Sequence, residues 1–284
     1  MKSQPYSSAL LRILALATLI ATPPTHATPA LTFGIVPQQA ATKLARLWSP
    51  LLAAVGECSD LQLQFRTAPN IPTFEKRLDQ GGYDIAYMNP YHYVVFSQRV
   101  GYSALAKQAN KQIRGVIVVN ADSPITRLEE LNGAELSFPA PAAFAASVLP
   151  RAALRARKLT FSPRYVSSHD SVYKSVAKRL FVAGGGIERT LTNIDSKTRG
   201  QLRILWRTRG YTPHAIATSP RMSETVRATL LACMTQLSAT RRGRKLLSAI
   251  KFSAIEAASD KDWDDVRQLG LNQTFGKREP GRAE

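Results

Sequence analysis

The sequence predicts an α/β protein built from layered, largely parallel sheets. Three observations carry this. Short apolar or alternating runs, as strands require, recur between longer stretches with helical apolar spacing. No segment repeats at a fixed period, which excludes a solenoid. No Pro/Gly-rich linker divides the chain, so two lobes, if present, must be joined by more than one crossing.

The elements follow in order. Leu31-Thr32-Phe33-Gly34-Ile35-Val36 reads as a strand ended by Pro37. Residues 39–55 place Leu44, Leu47, Trp48, Leu51, Leu52 and Val55 on one helical face, with Pro50 predicting a kink or break. Leu61, Leu63 and Phe65 alternate as in a half-buried strand. Pro69-Asn70-Ile71-Pro72 opens a helix that Gly81-Gly82 ends. Asp84 to Met88 is a buried-type strand, and Pro90 starts the next helix.

Gly115 to Asn120 is a strand, Leu128 to Gly133 a short helix, Leu136-Ser137-Phe138 a strand, and Pro139 to Pro141 a turn. Ala142 to Arg157 is Ala-rich and helical. Arg164-Tyr165-Val166 is a strand, Ser168-His169-Asp170 caps a helix over 171–181, and Gly184-Gly185-Gly186 reads as a break. Leu202 to Thr208 is a strand, three helical stretches lie between 222 and 269, and the charged 276–284 tail is expected to fray.

Residues 1–27 have the pattern of an export signal: basic Lys2 and Arg12, an apolar run from Ile13 to Ala21, and small residues at Thr25 and Ala27. That run is shorter than the roughly 20 residues a membrane span needs. Cleavage after Ala27 would leave 257 of the 284 residues and, with Lys2 and Arg12 lost, take the formal charge from +18 to +16. No Cys follows the site, which argues against a lipid anchor. No later segment is apolar enough to span a bilayer. The product is expected in a bacterial periplasm, as a monomer.

Cys58 and Cys233 are the only cysteines; in an oxidising compartment they can pair or stay as separate buried thiols. His92, His169 and His214 are the histidines beyond the signal, without zinc-ligand spacing, and no Walker or dinucleotide fingerprint is present. Neither metal nor cofactor is expected. The consecutive Ser168-His169-Asp170 cannot align nucleophile, base and orienter, so a catalytic triad is unsupported.

The positive charge is spread, +7 over residues 119–208 and +9 over the rest of the mature chain. It lacks the basic–aromatic interleaving of a nucleic-acid platform, so no nucleic-acid partner is expected. The densest run, Arg151, Arg155, Arg157 and Lys158, reads as a solvated face near a helix C-terminus.

Several segments, in this order and spacing, resemble the phosphate/phosphite/phosphonate (PhnD-like) periplasmic binding protein family. They are Phe33-Gly34-Ile35-Val36-Pro37, Leu47-Trp48-Ser49-Pro50-Leu51, Tyr83 to Pro90 with Tyr91 and Tyr93, Leu128 to Gly133, and the Ser168-His169-Asp170 helix start. The resemblance spans about residues 31–270. It implies a type 2 periplasmic-binding-protein fold, two α/β lobes with a ligand cleft between them. Lobe one would be 28–118 plus 209–284 and lobe two 119–208. It further implies a non-enzymatic solute-binding protein that captures a small oxyanion by hinge closure for an ABC permease. The alternative is an accessory protein presenting its ligand to a membrane sensor kinase.

The ligand residues implied are Tyr91 and Tyr93 in lobe one, and His169 with the amides of Ala143, Phe144 and Ala145 in lobe two. Gln38 and Asn70 at strand-end loops, Gly185 for close backbone approach, and His214 at the return crossing complete the set. Tyr87 is expected in the core. Two departures stand out. Ala142 to Ala145 replace a hydroxyl-rich stretch usual at that helix start, and an acidic position expected after the following helix is absent around Phe181 to Ala183. Helix N-termini still offer free N–H groups and partial positive charge, which suits an anion on physical grounds alone.

Overall fold

In a computed structural model, which describes Met1 and residues 30–270, the chain forms two mixed sheets. The strands are β1 (Leu31–Ile35), β2 (Leu63–Arg66), β3 (Ile85–Met88), β4 (Ser103–Gln108), β5 (Gly115–Asn120), β6 (Ala134–Phe138), β7 (Phe161–Tyr165), β8 (Ala183–Ile187), β9 (Leu202–Arg207), β10 (Ala215–Thr218) and β11 (Ile255–Ala257). The first sheet has the order β11-β4-β10-β3-β1-β2, the second β7-β6-β8-β5-β9.

The helices are α1 (Ala41–Ser59), α2 (Ile71–Asp79), α3 (Pro90–Arg99), α4 (Leu149–Ala156), α5 (His169–Ala177), α6 (Glu188–Thr192), α7 (Ser196–Gly200), α8 (Glu224–Gln236), α9 (Arg241–Ala249) and α10 (Asp264–Arg267). The expected signal (1–27) and the tail (276–284) lie outside the described residues. No helix among the described residues is long and apolar enough to cross a membrane.

The sheets are mixed rather than largely parallel. β1 pairs in parallel with β2 and β3, and β6 with β7 and β8. β10 runs antiparallel to β3 and β4, and β5 antiparallel to β8 and β9. The cause is connectivity. The chain enters the second sheet through β5 and returns to the first through β10, so each crossing inserts one reversed strand. The chain crosses at 109–114 and at 208–214. The expected boundary at 118 falls inside β5, every residue of which pairs in the second sheet.

Pro50 does not break α1. It sits on the helix's exposed face, where the carbonyl it leaves unpaired meets solvent, while Trp48, Leu51, Leu52 and Val55 bury the opposite face. Cys58 near the end of α1 is bonded to Cys233 of α8, with Cα atoms 5.8 Å apart. The triple glycine is not a break but the middle of β8, buried between β5 and β6.

Candidate functional site

The carboxyl ends of β1, β3, β6 and β8 and the starts of α2, α3 and α5 face one another between the sheets. They enclose a small pocket lined by Val36, Gln38, Ile71, Asn89, Ile113, His169, Ile187, His214 and the turn from Ala143 to Ala146. Its free volume is ≈10 Å³, about the room of a single water.

The turn following β6 is the distinctive part. Phe144–Val148 is one turn of π-helix, closed by the Val148 N–H donating to the Ala143 carbonyl (3.2 Å), before α4 begins. Pro150 has no N–H for the Ala146 carbonyl, which favours this wider turn over an α-helical one. The carbonyls of Ala145 and Ala146 point instead at the second sheet. A Cβ at Gly115 would lie 2.0 Å from the Ala145 oxygen, and one at Gly185 2.0 Å from the Ala146 oxygen. Only glycine in β5 and β8 lets the turn seat so closely.

Arg151 braces the same turn from α4. Its guanidinium donates to the carbonyls of Pro141 (2.7 Å) and Ser147 (3.3 Å), and the residue is buried. It is therefore not part of a solvated basic face. As the first groups of a helical turn, the N–H groups of Phe144, Ala145 and Ala146 have no acceptor within the helix, and these three residues line the pocket.

Polar contacts tie the lobes together around the pocket. The His169 N–H donates to the Gln38 carbonyl (3.1 Å), Arg189 Nη2 to Gln38 Oε1 (2.6 Å), and Asn89 Nδ2 to the Ala142 carbonyl (3.2 Å). Further out, Lys43 Nζ donates to the Asn193 carbonyl (2.6 Å) and lies 3.9 Å from Asp170.

Donor logic fixes the orientations. Arg189 can only donate, so Gln38 presents Oε1 to it and Nε2 to His214 Nε2 at 2.9 Å. His214 Nε2 must then accept, which assigns the proton to Nδ1. Asn89 Oδ1 caps α3 by accepting the His92 N–H (2.8 Å), which leaves Nδ2 for the cross-lobe bond. His169 Nδ1 lies 3.1 Å from Thr190 Oγ1, itself held by Tyr173 at 2.8 Å.

Both histidines are neutral at physiological pH. Burial, with the Arg189 charge adding to it, depresses His169 to about 3. Burial first, then Arg189 and the other two histidines, holds His214 well below its usual value. No carboxylate lines the pocket. Its electrostatics are those of neutral donors and helix-start amides with one guanidinium, Arg189, held behind Gln38.

Of the residues singled out in the sequence, Gln38, Ala143, Phe144, Ala145, His169 and His214 line this pocket. Asn70 caps α2, accepting the Thr73 N–H at 2.8 Å, and it is the next residue, Ile71, that reaches the pocket. Tyr93 faces away from it. Its hydroxyl donates to Asp260 (2.7 Å), accepts the Ala104 N–H (3.2 Å), and its ring packs on Trp263. Tyr91 is buried in the core of the first lobe and does not line the pocket. Gly185 serves the seating of the π-turn.

Tyr87, expected in the core, is buried but stands at the cleft wall. Its ring stacks on His214 at 4.9 Å, with the Arg189 guanidinium 5.9 Å from its centre. Sequence reasoning missed Asn89 and Arg189. The Asn-Pro pair that opens α3 is a legible cap signal. Arg189 has none beyond following a strand. Among the described residues no cluster of His, Cys, Asp or Glu could hold a metal ion.

Two sheets joined by two crossings, with a polar pocket closed between them, define a two-lobed cleft-binding protein. The family model described as the periplasmic substrate-binding protein of phosphonate ABC transporters matches residues 33–263, and the chain belongs to this family. Its members bind substrates for transporters and are not enzymes. The sensory alternative finds no support in these comparisons.

Solved structures agree on the fold. A binding-protein component of a phosphonate ABC transporter from Pseudomonas aeruginosa aligns with TM-score 0.79 at 16% identity, covering 89% of this chain and 91% of its own. PhnD1 from Prochlorococcus marinus, in complex with methylphosphonate, aligns with TM-score 0.78 at 16% identity over 86% and 98%. A Xanthomonas citri protein bound to ATP aligns with TM-score 0.69 at 16% identity over 89% and 100%. No curated protein matches the chain.

Proposed function

We propose that this protein captures a small phosphate- or phosphonate-like oxyanion between its lobes and delivers it to an ABC permease, working as a monomer in the periplasm. The observation that carries the reading is the pocket itself. Helix-start amides at 144–146, two neutral histidines and no carboxylate converge there, with Arg189 one side chain away. Amides at a helix start stabilise an oxyanion without a formal charge. The Ala142 to Ala145 stretch supplies no hydroxyls, so backbone N–H groups and histidine N–H groups carry the recognition. The absence of a lining carboxylate disfavours a ligand bearing an ammonium group.

The free volume of ≈10 Å³ is smaller than any tetrahedral oxyanion. Entry therefore requires the lobes to part, and the two crossings are the hinge. The Gln38–Arg189, His169–Gln38 and Asn89–Ala142 contacts break on opening, and the lobes close less far when an oxyanion occupies the space between them. The methylphosphonate held by the Prochlorococcus relative carries the kind of charge these donors suit. Calorimetry with phosphate, phosphite, methylphosphonate, sulfate and arsenite tests the reading. Saturable one-to-one binding of at least one of them is expected; silence across the series would overturn it.

A further inference from the structure

A second and much larger pocket, ≈420 Å³, lies on the hinge side of the molecule. That is within the usual range for organic ligands. It shares the wall residues Ile113, Ile187 and His214 with the small pocket and lies on the other side of the Tyr87–Arg189 pair from a third, minor cavity. Both crossings and both lobes contribute to it.

Its chemistry differs from that of the small pocket. The floor is apolar, with Ile113, Ile187, Leu191, Ile204 and Pro213 among its walls and the Tyr87 ring beside them. Five cations line it against one carboxylate, Glu188, which is already bonded to Arg207 at 2.6 Å. Lys111, Arg114 and Lys251 are exposed, and among the described residues none of them pairs with a carboxylate. An apolar floor beneath unneutralised cations repels a metal ion or an amine and gives an inorganic ion nothing to bury. It is matched by an organic anion with a flat apolar body.

We propose that this hinge-side pocket is a second ligand site, distinct from the oxyanion pocket, for an organic anion that combines a flat apolar body with a phosphate or similar dianionic group. The body lies on the Ile113–Ile187–Ile204 floor, and the dianion is held by Lys111, Arg114 and Lys251.

The test is calorimetry on the full chain with 1-naphthyl phosphate, with 1-naphthol as the uncharged control. Saturable binding of the phosphate is expected, weakening as salt rises, with the naphthol at least about tenfold weaker. The exposed pair Lys111→Glu/Lys251→Glu should weaken it by about tenfold or more while the melting temperature and oxyanion binding stay as in the wild type. Ala145→Asp, which places a carboxylate in the small pocket, should leave naphthyl phosphate binding within about twofold. The proposal is overturned if 1-naphthyl phosphate does not bind at about 1 mM or if naphthol binds equally well. It is also overturned if binding survives the lysine reversal and is lost in Ala145→Asp, which would put the ligand in the oxyanion pocket and leave that reading standing.

Discussion

Replacing Gly185 by Ala probes the link between packing and the binding site. The added Cβ would meet the Ala146 carbonyl oxygen at 2.0 Å and the Phe138 ring at 2.6 and 2.8 Å. Ordinary van der Waals contact begins near 3.4 Å, so β8 and the π-turn must separate by more than an ångström. The obstructing atom is backbone, part of the turn that Arg151 braces, and cannot rotate aside. The cost should reach the upper end of small-to-large core substitutions, about 3 kcal/mol. For a chain of this size that lowers Tm by about 6–12 °C. Because the same displacement moves the Phe144–Ala146 amides, oxyanion affinity should fall by about tenfold at a temperature where the variant is folded. Gly200→Ala is the control, since a Cβ there meets nothing within 4 Å, and its effect should stay within about 1 kcal/mol. A Gly185→Ala melt within about a degree of both wild type and Gly200→Ala would refute the seating of the turn on β8.

Other consequences are open to direct measurement. His169 and His214 both have depressed values, so below about pH 6.5 the unfolded chain takes up protons that the folded chain refuses. Stability should fall as pH drops from 6.5 towards 5, by up to about 1.4 kcal/mol per pH unit per histidine, and denaturant titrations of His169→Gln should show the shallower slope. The Cys58–Cys233 bond closes a sequence separation of 175 residues; reducing it, or the Cys58→Ser/Cys233→Ser pair, should cost about 2–5 kcal/mol in thermal melts. Arg151→Met keeps the stem but drops the bonds to Pro141 and Ser147, and should cost about 2–4 kcal/mol while weakening oxyanion binding. Lys43→Ala removes a cross-lobe bond at the cleft edge, and small-angle scattering should show a larger radius of gyration as the open form gains population.

Much of the architecture was legible because strong local signals agreed with the tertiary packing. The apolar face of α1, the Pro-led starts of α2 and α3, and the Ser168 cap of α5 each appear where their residues put them. β4 (SALAKQ), β10 (AIAT) and β11 (IEA) were not legible. They are short and carry few β-branched or aromatic residues, so only their neighbours define them as strands. The triple glycine misled for a related reason: its local preference is a turn, but the π-turn and its neighbours need a strand without side chains there.

The site was half legible. The family resemblance places ligand contacts at helix starts, where free amides gather, and so pointed to 143–145 and His169, which line the pocket. Side-chain direction within α3 is invisible to spacing alone. Tyr93 therefore pairs with Asp260 rather than the cleft. Ile113 comes to the pocket, and Arg189 to Gln38 behind it, through strand order and the crossing of the chain, information held in no single segment.

The central claim is that the 144–146 amides hold an oxyanion. It is tested most directly by titrating the tightest-binding oxyanion of the series into wild type and into Ala145→Asp, with melting curves to show that both are folded. A carboxylate placed against those amides should compete for them and repel the ligand, reducing affinity by about a hundredfold or more. Equal affinity in the two proteins would contradict the account and place the anion elsewhere.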